Sequence, residues 1–269
     1  MKLIKYMTAM VLGVAASGVI ASSNPSGVKH LASLDIALPA YEDISTTHPV
    51  FDFDGDGCLP SAGIGRDGAM NGGLNTSGGL GGGCRKSDFL NYSNTLHRYM
   101  CKNSSGDQYC VHFYSLYFMK DQIISNVGGG HRHDWEHAAV WTKNGTVTHG
   151  SYSAHGDLNT KPASELPFEN GHLKIVYHKD GGLTHALRFA KSNETAENPY
   201  GYWVLPPLIS WYTVTGDGVS NSEMRNKMNS YNYGSATIPM KDGNFVSNVN
   251  NYKPSDYPTF TRSDMTASQ

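Results

Sequence analysis

The sequence has few charged side chains and no region dominated by one sign of charge. Lys and Arg together number 21, Asp and Glu number 23, and charged residues make up only 16% of the chain, with a net charge of −2. Proteins that bind nucleic acids carry clustered basic residues on one face or along one helix. Because no such basic patch occurs, the sequence predicts no nucleic-acid partner.

Two signatures of zinc sites are also missing. No Cys-x-x-Cys pair occurs, and no His-Glu-x-x-His stands at helical spacing. Structural zinc sites commonly use closely spaced pairs of cysteines, and zincin proteases use the helical histidine pair. The sequence also offers no separate nucleophile with a paired base, so we do not expect an enzyme.

The only long apolar run lies at the N-terminus. Residues 6–20 are apolar or small, Lys2 and Lys5 precede them, and Val19 and Ala21 are placed as small residues before a cleavage site. A run of about fifteen residues is short for a membrane span, which needs about 20. Residues 1–21 are therefore predicted to be a secretory signal peptide rather than an uncleaved membrane anchor. The protein is then secreted, with no transmembrane span in the mature chain.

Residues 22–269 are predicted to form a single, mainly β domain, because no change in composition marks a linker. Short segments rich in aromatic and β-branched residues are separated by turn signals, as in a β-sandwich. The predicted strands are 109–118, 135–142, 146–153, 173–178, 184–190 and 202–205. Helices are predicted at 29–36 and 222–231, the second with Ser222 as its N-cap. The tail from Thr261 is predicted to be disordered.

Four cysteines follow the signal peptide: Cys58, Cys84, Cys101 and Cys110. In a secreted chain an even number of cysteines implies disulfides, here two, with three possible connectivities. Ten of the 21 residues from 63 to 83, between the first two cysteines, are Gly. A bridge that closed this flexible loop would restrict the unfolded chain and contribute roughly 3 kcal/mol of stability.

Residues 52–57 resemble the opening of a calcium-binding loop. Asp52, Asp54 and Asp56 place carboxylates at alternate positions, and Gly57 follows for a tight turn. A complete loop carries Glu at its twelfth position, where this chain has Gly63. From these residues alone, a weak calcium site and a plain Asp-Gly turn both stay open.

The most informative motif is Gly-His-Arg-His-Asp-Trp-Glu at residues 130–136. It reads as a Gly-rich loop passing into a half-buried strand, and strand alternation places Asp134 and Glu136 on one side. Two carboxylates so close repel each other unless a proton or a cation lies between them, and His131 with Asp121 could help to hold a cation. The alternative is a solvated ion-pair cluster in which Arg132 neutralises the carboxylates.

The heptapeptide at 130–136 resembles that of the necrosis- and ethylene-inducing-peptide-like family of secreted cytolysins, of the four-cysteine type. Four further segments resemble family segments and occur in the family's order. One precedes the heptapeptide, at residues 114–122, and three come after it, at residues 153–155, 176–180 and 242–245. The resemblance spans roughly residues 45 to 250.

This resemblance implies a central β-sandwich with peripheral helices, similar to actinoporins and fungal lectins. It also implies a divalent cation, with magnesium as the expected ion. The cation would lie in a negatively charged surface cavity formed by Asp121, His131, Asp134 and Glu136. His155 and Asp180 would join the cavity and bind the headgroup. Family members recognise sugar headgroups of plant sphingolipids, the glycosylinositol phosphorylceramides, and then damage the plasma membrane. We expect a monomer in solution.

The resemblance further implies disulfides between Cys58 and Cys84 and between Cys101 and Cys110, and it favours a second cation, calcium, at the loop of residues 52–57. Two other functions stay open. One is a secreted metal-dependent hydrolase in which Glu136 or Asp134 activates a metal-bound water with His131 as acid or base. The other is a non-toxic, glycolipid-binding member of the same fold.

Overall fold

The computed structural model describes residues 28–269. The predicted signal peptide, residues 1–21, lies outside the described residues. Between residues 28 and 269, no helix is long and apolar enough to cross a membrane.

The described chain forms ten strands and three α-helices. The strands are β1 (Val50–Phe53), β2 (Thr95–Ser104), β3 (Asp107–Ile124), β4 (Gly128–Lys143), β5 (Thr146–Ala154), β6 (Asp157–Pro162), β7 (Phe168–Glu169), β8 (His172–Lys179), β9 (His185–Phe189) and β10 (Leu208–Ser210). The helices are α1 (Asn221–Ser230), α2 (Phe245–Tyr252) and α3 (Arg262–Ala267), and short 3-10 turns lie at Phe89–Tyr92 and Ala163–Glu165.

These strands form two sheets. The larger sheet has the order β10-β2-β3-β4-β5-β6 and is antiparallel except where β10 pairs in parallel with β2. In the smaller sheet β8 is central and pairs in parallel with β1 and antiparallel with β7 and β9. Long hairpins therefore dominate the larger sheet, and β3 and β4 are its longest strands.

An aromatic core joins the two sheets. Phe118 of β3 stacks on Tyr177 of β8 with ring centroids 3.8 Å apart. On the other face of the larger sheet, Phe113 packs edge to face on Phe245 of α2 at 5.3 Å. Side chains alternate between faces along a strand, so Phe113 and Phe118 point to opposite faces of β3. The mainly β sandwich with peripheral helices is thus confirmed.

Five of the six predicted strands are present, although β3 and β4 extend further than predicted. The sixth, 202–205, is wrong, because Val204 makes only an isolated bridge with Phe51. Pro206 and Pro207 follow it and have no backbone N–H to extend a ladder. β2 was missed because His97 and Arg98, both fully buried, give it a polar sequence. The other missed strands, β1, β6, β7 and β10, are short.

Residues 29–36 are not helical, contrary to the prediction. The Leu34 N–H donates to Asn94 Oδ1 at 2.9 Å, and Ala37 forms a parallel bridge with Ile209 of β10. Leu31 and Leu34 are buried, so a helix-like spacing of apolar residues here serves an extended segment. Tertiary pairing overrides local propensity at this position.

Helix α1 begins one residue earlier than predicted, at Asn221. Its N-cap is Ser220 rather than Ser222, and Ser220 with Glu223 forms a reciprocal capping box.

The tail from Thr261 is helical, so the prediction of disorder was wrong. Thr261 and Asp264 form a second capping box at the start of α3. Met265 is buried, and the Cys101 N–H donates to Ser268 Oγ at 2.9 Å. The polar composition of this tail concealed a capped helix that packs against β2.

Both predicted disulfides are confirmed. Cys58–Cys84 closes the Gly-rich segment, and Cys101–Cys110 links directly paired residues of β2 and β3.

Candidate cation-binding cavity

The β3–β4 hairpin carries the four residues predicted to hold a cation. Its ladder pairs Asp121 with His131, Phe118 with Asp134, and Leu116 with Glu136. Ligand atoms of Asp121, His131 and Asp134 all lie within 4.8 Å of one another. Glu136 lines the same cavity and is buried beside them. The hairpin therefore brings the predicted residues together from two strands.

A break in strand alternation makes this cluster possible. Asp134 accepts a hydrogen bond from the Tyr177 hydroxyl at 3.3 Å, so it faces the smaller sheet. His131, three positions earlier, would point to the opposite face of a regular strand. His133 has a φ of +63°, in the left-handed region that non-glycine residues seldom adopt. This conformation shifts the alternation of β4 at His133, so that His131 and Asp134 can face the same side.

Gly130 allows the two strands to approach closely at the same point. Its φ is +85°, and a Cβ placed on it would lie 2.1 Å from the carbonyl oxygen of Asp121. Any side chain at this position would collide with the backbone that carries Asp121. Glycine is therefore required for the Asp121–His131 pair.

Two contacts fix the orientation of the cluster. His131 Nδ1 lies 2.6 Å from the carbonyl oxygen of His133, and because a carbonyl only accepts, Nδ1 must carry the proton and donate. This leaves Nε2 with a lone pair for a ligand. Asp121 accepts from the backbone N–H and Nδ1 of His185. Sequence reasoning missed His185, which stands 64 residues from Asp121 and carries no motif that links the two.

The cluster brings three buried carboxyl groups close together. Burial, and then repulsion by Asp121, raises the pKa of Asp134 to about 7. Burial and the neighbouring Asp134 also raise the pKa of Glu136 well above its usual range, although Glu136 accepts a hydrogen bond from Ser153 Oγ. Buried carboxylates repel unless a proton or a cation is shared between them. The donor set, carboxylate oxygens with one imidazole nitrogen, fits a hard divalent cation.

Arg132 does not neutralise these carboxylates. Its guanidinium donates to the carbonyl oxygen of Gly72 at 3.1 Å and to the side chain of Asn75. Among residues 28–269, no Lys or Arg forms an ion pair with Asp121, Asp134 or Glu136. The alternative of an Arg132-centred ion-pair cluster therefore has no geometric support.

The cavity opens where β5 leaves β4. β5 pairs with β4 only from Ala138 onward, so the preceding part of β4 borders a cavity of about 390 Å³. His155 lies on its wall, and His155 Nε2 is 2.9 Å from Asp180 Oδ2. Asp180 is not on the wall itself but reaches the cavity through His155. Both side chains are partly exposed, so they stand at the mouth while the carboxylate cluster lies deeper.

The three aspartates of the predicted calcium loop have separate partners. Asp52 is fully buried and accepts hydrogen bonds from the backbone N–H groups of Glu197 and Asn198. Asp54 lies 3.8 Å from Arg188, and its pKa is raised to about 6, chiefly by burial. Asp56 lies 3.5 Å from His185 Nε2. Calcium binding at this loop stays a prediction.

A second group of three potential metal ligands lacks a thiolate ligand. Ligand atoms of Glu42, Cys110 and His112 lie within 4.8 Å of one another. Cys110 is bonded to Cys101 and offers no thiolate.

The fold and the cavity define a known class of microbial toxin. The protein described as a "toxin fold as basis for microbial attack and plant defense" superposes with a TM-score of 0.64 at 26% identity, covering 81% of this chain and 94% of that one. NLPPya in complex with mannosamine gives the same values. The non-toxic HaNLP3 protein also shares the fold, with a TM-score of 0.64, 24% identity and coverage of 84% and 99%.

The chain belongs to the necrosis-inducing protein (NPP1) family, whose model matches residues 42–252. NLP effector protein 2 of Phytophthora capsici is 31% identical over 200 residues, which cover 71% of each chain. The necrosis-inducing protein NPP1 of Phytophthora nicotianae is 30% identical over 204 residues, covering 73% of this chain and 76% of that one. The predicted family is thereby confirmed.

Proposed function

We propose that this protein is a secreted, cation-dependent cytolysin that binds glycosylated sphingolipid headgroups, the glycosylinositol phosphorylceramides of plants, and damages the plasma membrane. One observation carries the proposal. Asp121, Asp134 and Glu136 converge with His131 in a cavity open to the surface, and no Lys or Arg of residues 28–269 forms an ion pair with these carboxylates. A cation held by these residues would balance their charge.

The cation would be held by Asp121, His131, Asp134 and Glu136. Mg²⁺ is the ion that fits this site best. Mg²⁺ binds through a few carboxylates and keeps several waters, which suits a surface cavity better than an enclosed protein cage. When bound, the cation supplies positive charge and exchangeable positions for hydroxyl oxygens. The imidazole Nε2 of His131 bonds either the ion or an ordered water.

His155 and Asp180 would bind the headgroup. Their hydrogen-bonded pair stands at the mouth of the cavity and offers both a donor and an acceptor to sugar hydroxyls. The sugar complexes of NLPPya, one with mannosamine and one with glucosamine, support a sugar ligand for the same fold.

Apolar side chains beside the cavity support contact with a bilayer. Ile124 and Val127 at the tip of the β3–β4 hairpin are 53% and 78% exposed, and Leu183 in the β8–β9 turn is 56% exposed. Lys179 Nζ donates to the carbonyl oxygens of Ile123 and Leu183, both at 2.7 Å, and so ties the two tips together. The hairpin tip is only three residues, roughly 10 Å of strand, beyond Asp121. A headgroup held in the cavity would bring this apolar tip to the membrane.

Dye release from vesicles tests the proposal. The wild-type protein should empty vesicles that contain plant glycosylinositol phosphorylceramides, and EDTA should abolish release. Asp121→Ala, His131→Ala and Glu136→Ala should abolish it as well, with unchanged circular dichroism. Asp256→Asn, at an exposed position outside the cavity, is the control and should release dye normally.

Three results would contradict the proposed function. Full release by a folded Glu136→Ala protein would remove the cation from the mechanism. Cleaved headgroups, detected by mass spectrometry and lost on chelation, would favour the metal-dependent hydrolase. A wild type that binds the glycolipid without release would be a non-toxic member of the family.

A further inference from the structure

A second pocket shares no residue with the cation cavity. It lies between residues 36–48 and residues 205–208 and has a volume of about 390 Å³, within the range of small-molecule sites, roughly 300–1,000 Å³. Its walls are mainly apolar, formed chiefly by Ile36, Leu38, Ile44, Leu205 and Leu208.

Backbone hydrogen bonds hold this pocket open in a defined shape. The Ala37 N–H donates to the carbonyl oxygen of Leu208 at 2.9 Å, and the Ser210 N–H donates to that of Ala37 at 2.6 Å. Thr213 Oγ1 donates to the carbonyl oxygen of Leu38 at 2.9 Å. The wall formed by residues 36–38 is therefore an extension of the larger sheet. Ile36 and Leu38, on either side of Ala37, remain 68% and 56% exposed.

The ionisable groups that line the pocket are acidic or neutral. Glu42, Asp43 and His48 line it, with no Lys or Arg among the lining residues. Asp43 Oδ1 accepts from the Ser45 N–H at 2.9 Å, and this hydrogen bond lowers the pKa of Asp43. Burial and the stacked His172 lower the pKa of His48, so its imidazole is neutral at neutral pH. The pocket is therefore apolar with a negative rim.

Within residues 28–269, the only basic partner near the Glu42 carboxylate is His112. Its Oε1 lies 3.7 Å from His112 Nε2, an atom that is buried and makes no hydrogen bond. His112 is fully buried, burial lowers its pKa to about 3, and its Nδ1 faces His97 at 3.3 Å. Within residues 28–269, no Lys or Arg pairs with Glu42. A partly buried carboxylate without a counter-ion is costly, and a cation that reaches it from the pocket removes that cost.

We propose that this pocket binds a single-chain amphiphilic cation, with its aliphatic tail between Leu38, Ile44 and Leu208 and its ammonium group against the Glu42 carboxylate. The apolar walls account for the tail, and the unpaired carboxylate accounts for the sign of the head. Each further methylene buried should tighten binding by about fourfold. The inference is independent of the cation cavity and of membrane damage.

Calorimetric titration of the disulfide-bonded protein with four matched compounds tests the proposal at neutral pH. Octylammonium should bind at least tenfold more tightly than 1-octanol, and octanoate should bind weakest. Hexylammonium should bind more than tenfold more weakly than octylammonium. Methyl signals of Ile36, Leu38 and Ile44 should shift in NMR spectra, and the affinity of the cavity for Mg²⁺ should stay unchanged.

Glu42→Gln should reduce the affinity for octylammonium to that for 1-octanol. Glu165→Gln, at an exposed position remote from the pocket lining, should change neither affinity. Equal binding of octylammonium and 1-octanol by the wild type would overturn the proposal without any variant. Failure of octylammonium to saturate, or shifts confined to residues of the cation cavity, would overturn it too.

Discussion

Asp121 and His185 are held together by three hydrogen bonds between the two sheets. The His185 backbone N–H lies 3.0 and 2.8 Å from the two carboxylate oxygens of Asp121, and His185 Nδ1 donates to Oδ1 at 2.7 Å. Both side chains are almost fully buried. His185 therefore fixes the orientation of one carboxylate of the proposed cation site.

We predict that His185→Ala lowers the affinity for Mg²⁺ by about 10- to 100-fold, the usual effect of losing a partner that orients a metal ligand. His185→Asn should lose less, because its amide can still donate to Asp121. Calorimetric titration measures both, with His149→Ala, outside the cavity lining, as the control. An unchanged affinity in folded His185→Ala would show that Asp121 needs no support.

Cation binding should weaken as the pH falls below about 8. The pKa of Asp134 is raised to about 7 by burial and by Asp121, so a proton competes with the cation at neutral pH. The Asp134 proton alone should decrease affinity by up to about tenfold per pH unit below 7, and the raised pKa of Glu136 should steepen the decrease. Asp134→Asn should bind more weakly and with a flatter pH profile. A pH-independent affinity in the wild type between pH 6 and 8 would contradict the assignment.

The raised pKa of Asp134 also predicts how the stability of the cation-free protein depends on pH. The folded-state pKa of Asp134 lies above its ordinary value of 3.8, so the folded state holds the proton more tightly than the unfolded state. The contribution of Asp134 to stability is therefore lost as the pH rises from about 4 through 7. Thermal unfolding with and without Mg²⁺ measures this, and Mg²⁺ should stabilise the protein most above pH 7.

The apolar hairpin tip should be needed for membrane damage but not for cation binding. Val127→Asp combined with Ile124→Asn should reduce dye release at least tenfold, because a charge opposes entry into the bilayer interface. Calorimetric titration should give an unchanged Mg²⁺ affinity. Tyr202→Asp, which changes a similarly exposed residue away from both tips, is the control. Normal release by the double variant would exclude the tip from membrane contact.

The two disulfides should contribute unequally to stability. Cys58 and Cys84 are 26 residues apart, whereas Cys101 and Cys110 are nine apart. Loop-closure entropy predicts losses of about 3.5 kcal/mol for the first bridge and about 2.7 kcal/mol for the second. Denaturant unfolding of the two paired Cys→Ser variants measures the free energies of unfolding. A greater loss for the Cys101–Cys110 pair would show that native contacts, rather than loop length, determine the difference.

The sequence predicted which residues come together at the candidate site better than it predicted the geometry that joins them. Strand alternation correctly placed Asp134 and Glu136 on one face, because both belong to the regular part of β4. Asp121 and His131 depend on the backbone turn at His133, and no residue-type preference predicts a positive φ at a histidine in a strand. His185 depends on the packing of two sheets, which a local pattern does not encode.

The same limit explains the errors in the fold. The capped helix at Thr261 was concealed by polar residues that usually mark a loose tail, and one buried methionine was too weak a signal against them. Residues 29–36 had apolar spacing suited to a helix, but the Leu34 N–H donates to Asn94 and the adjacent Ala37 bridges to β10, so no helix forms. Both errors arose where distant contacts decide the conformation.

Gly130 bears no ligand atom, yet the cluster depends on it as strictly as on any carboxylate. Natural relatives of this protein that keep Asp121, His131, Asp134 and Glu136 but replace Gly130 are expected to be harmless, because their strands would be forced apart. An inventory of conserved ligands would classify such relatives as toxic. A member of this family can thus become harmless when a side chain replaces the hydrogen atom of this glycine, although every ligand group is still present.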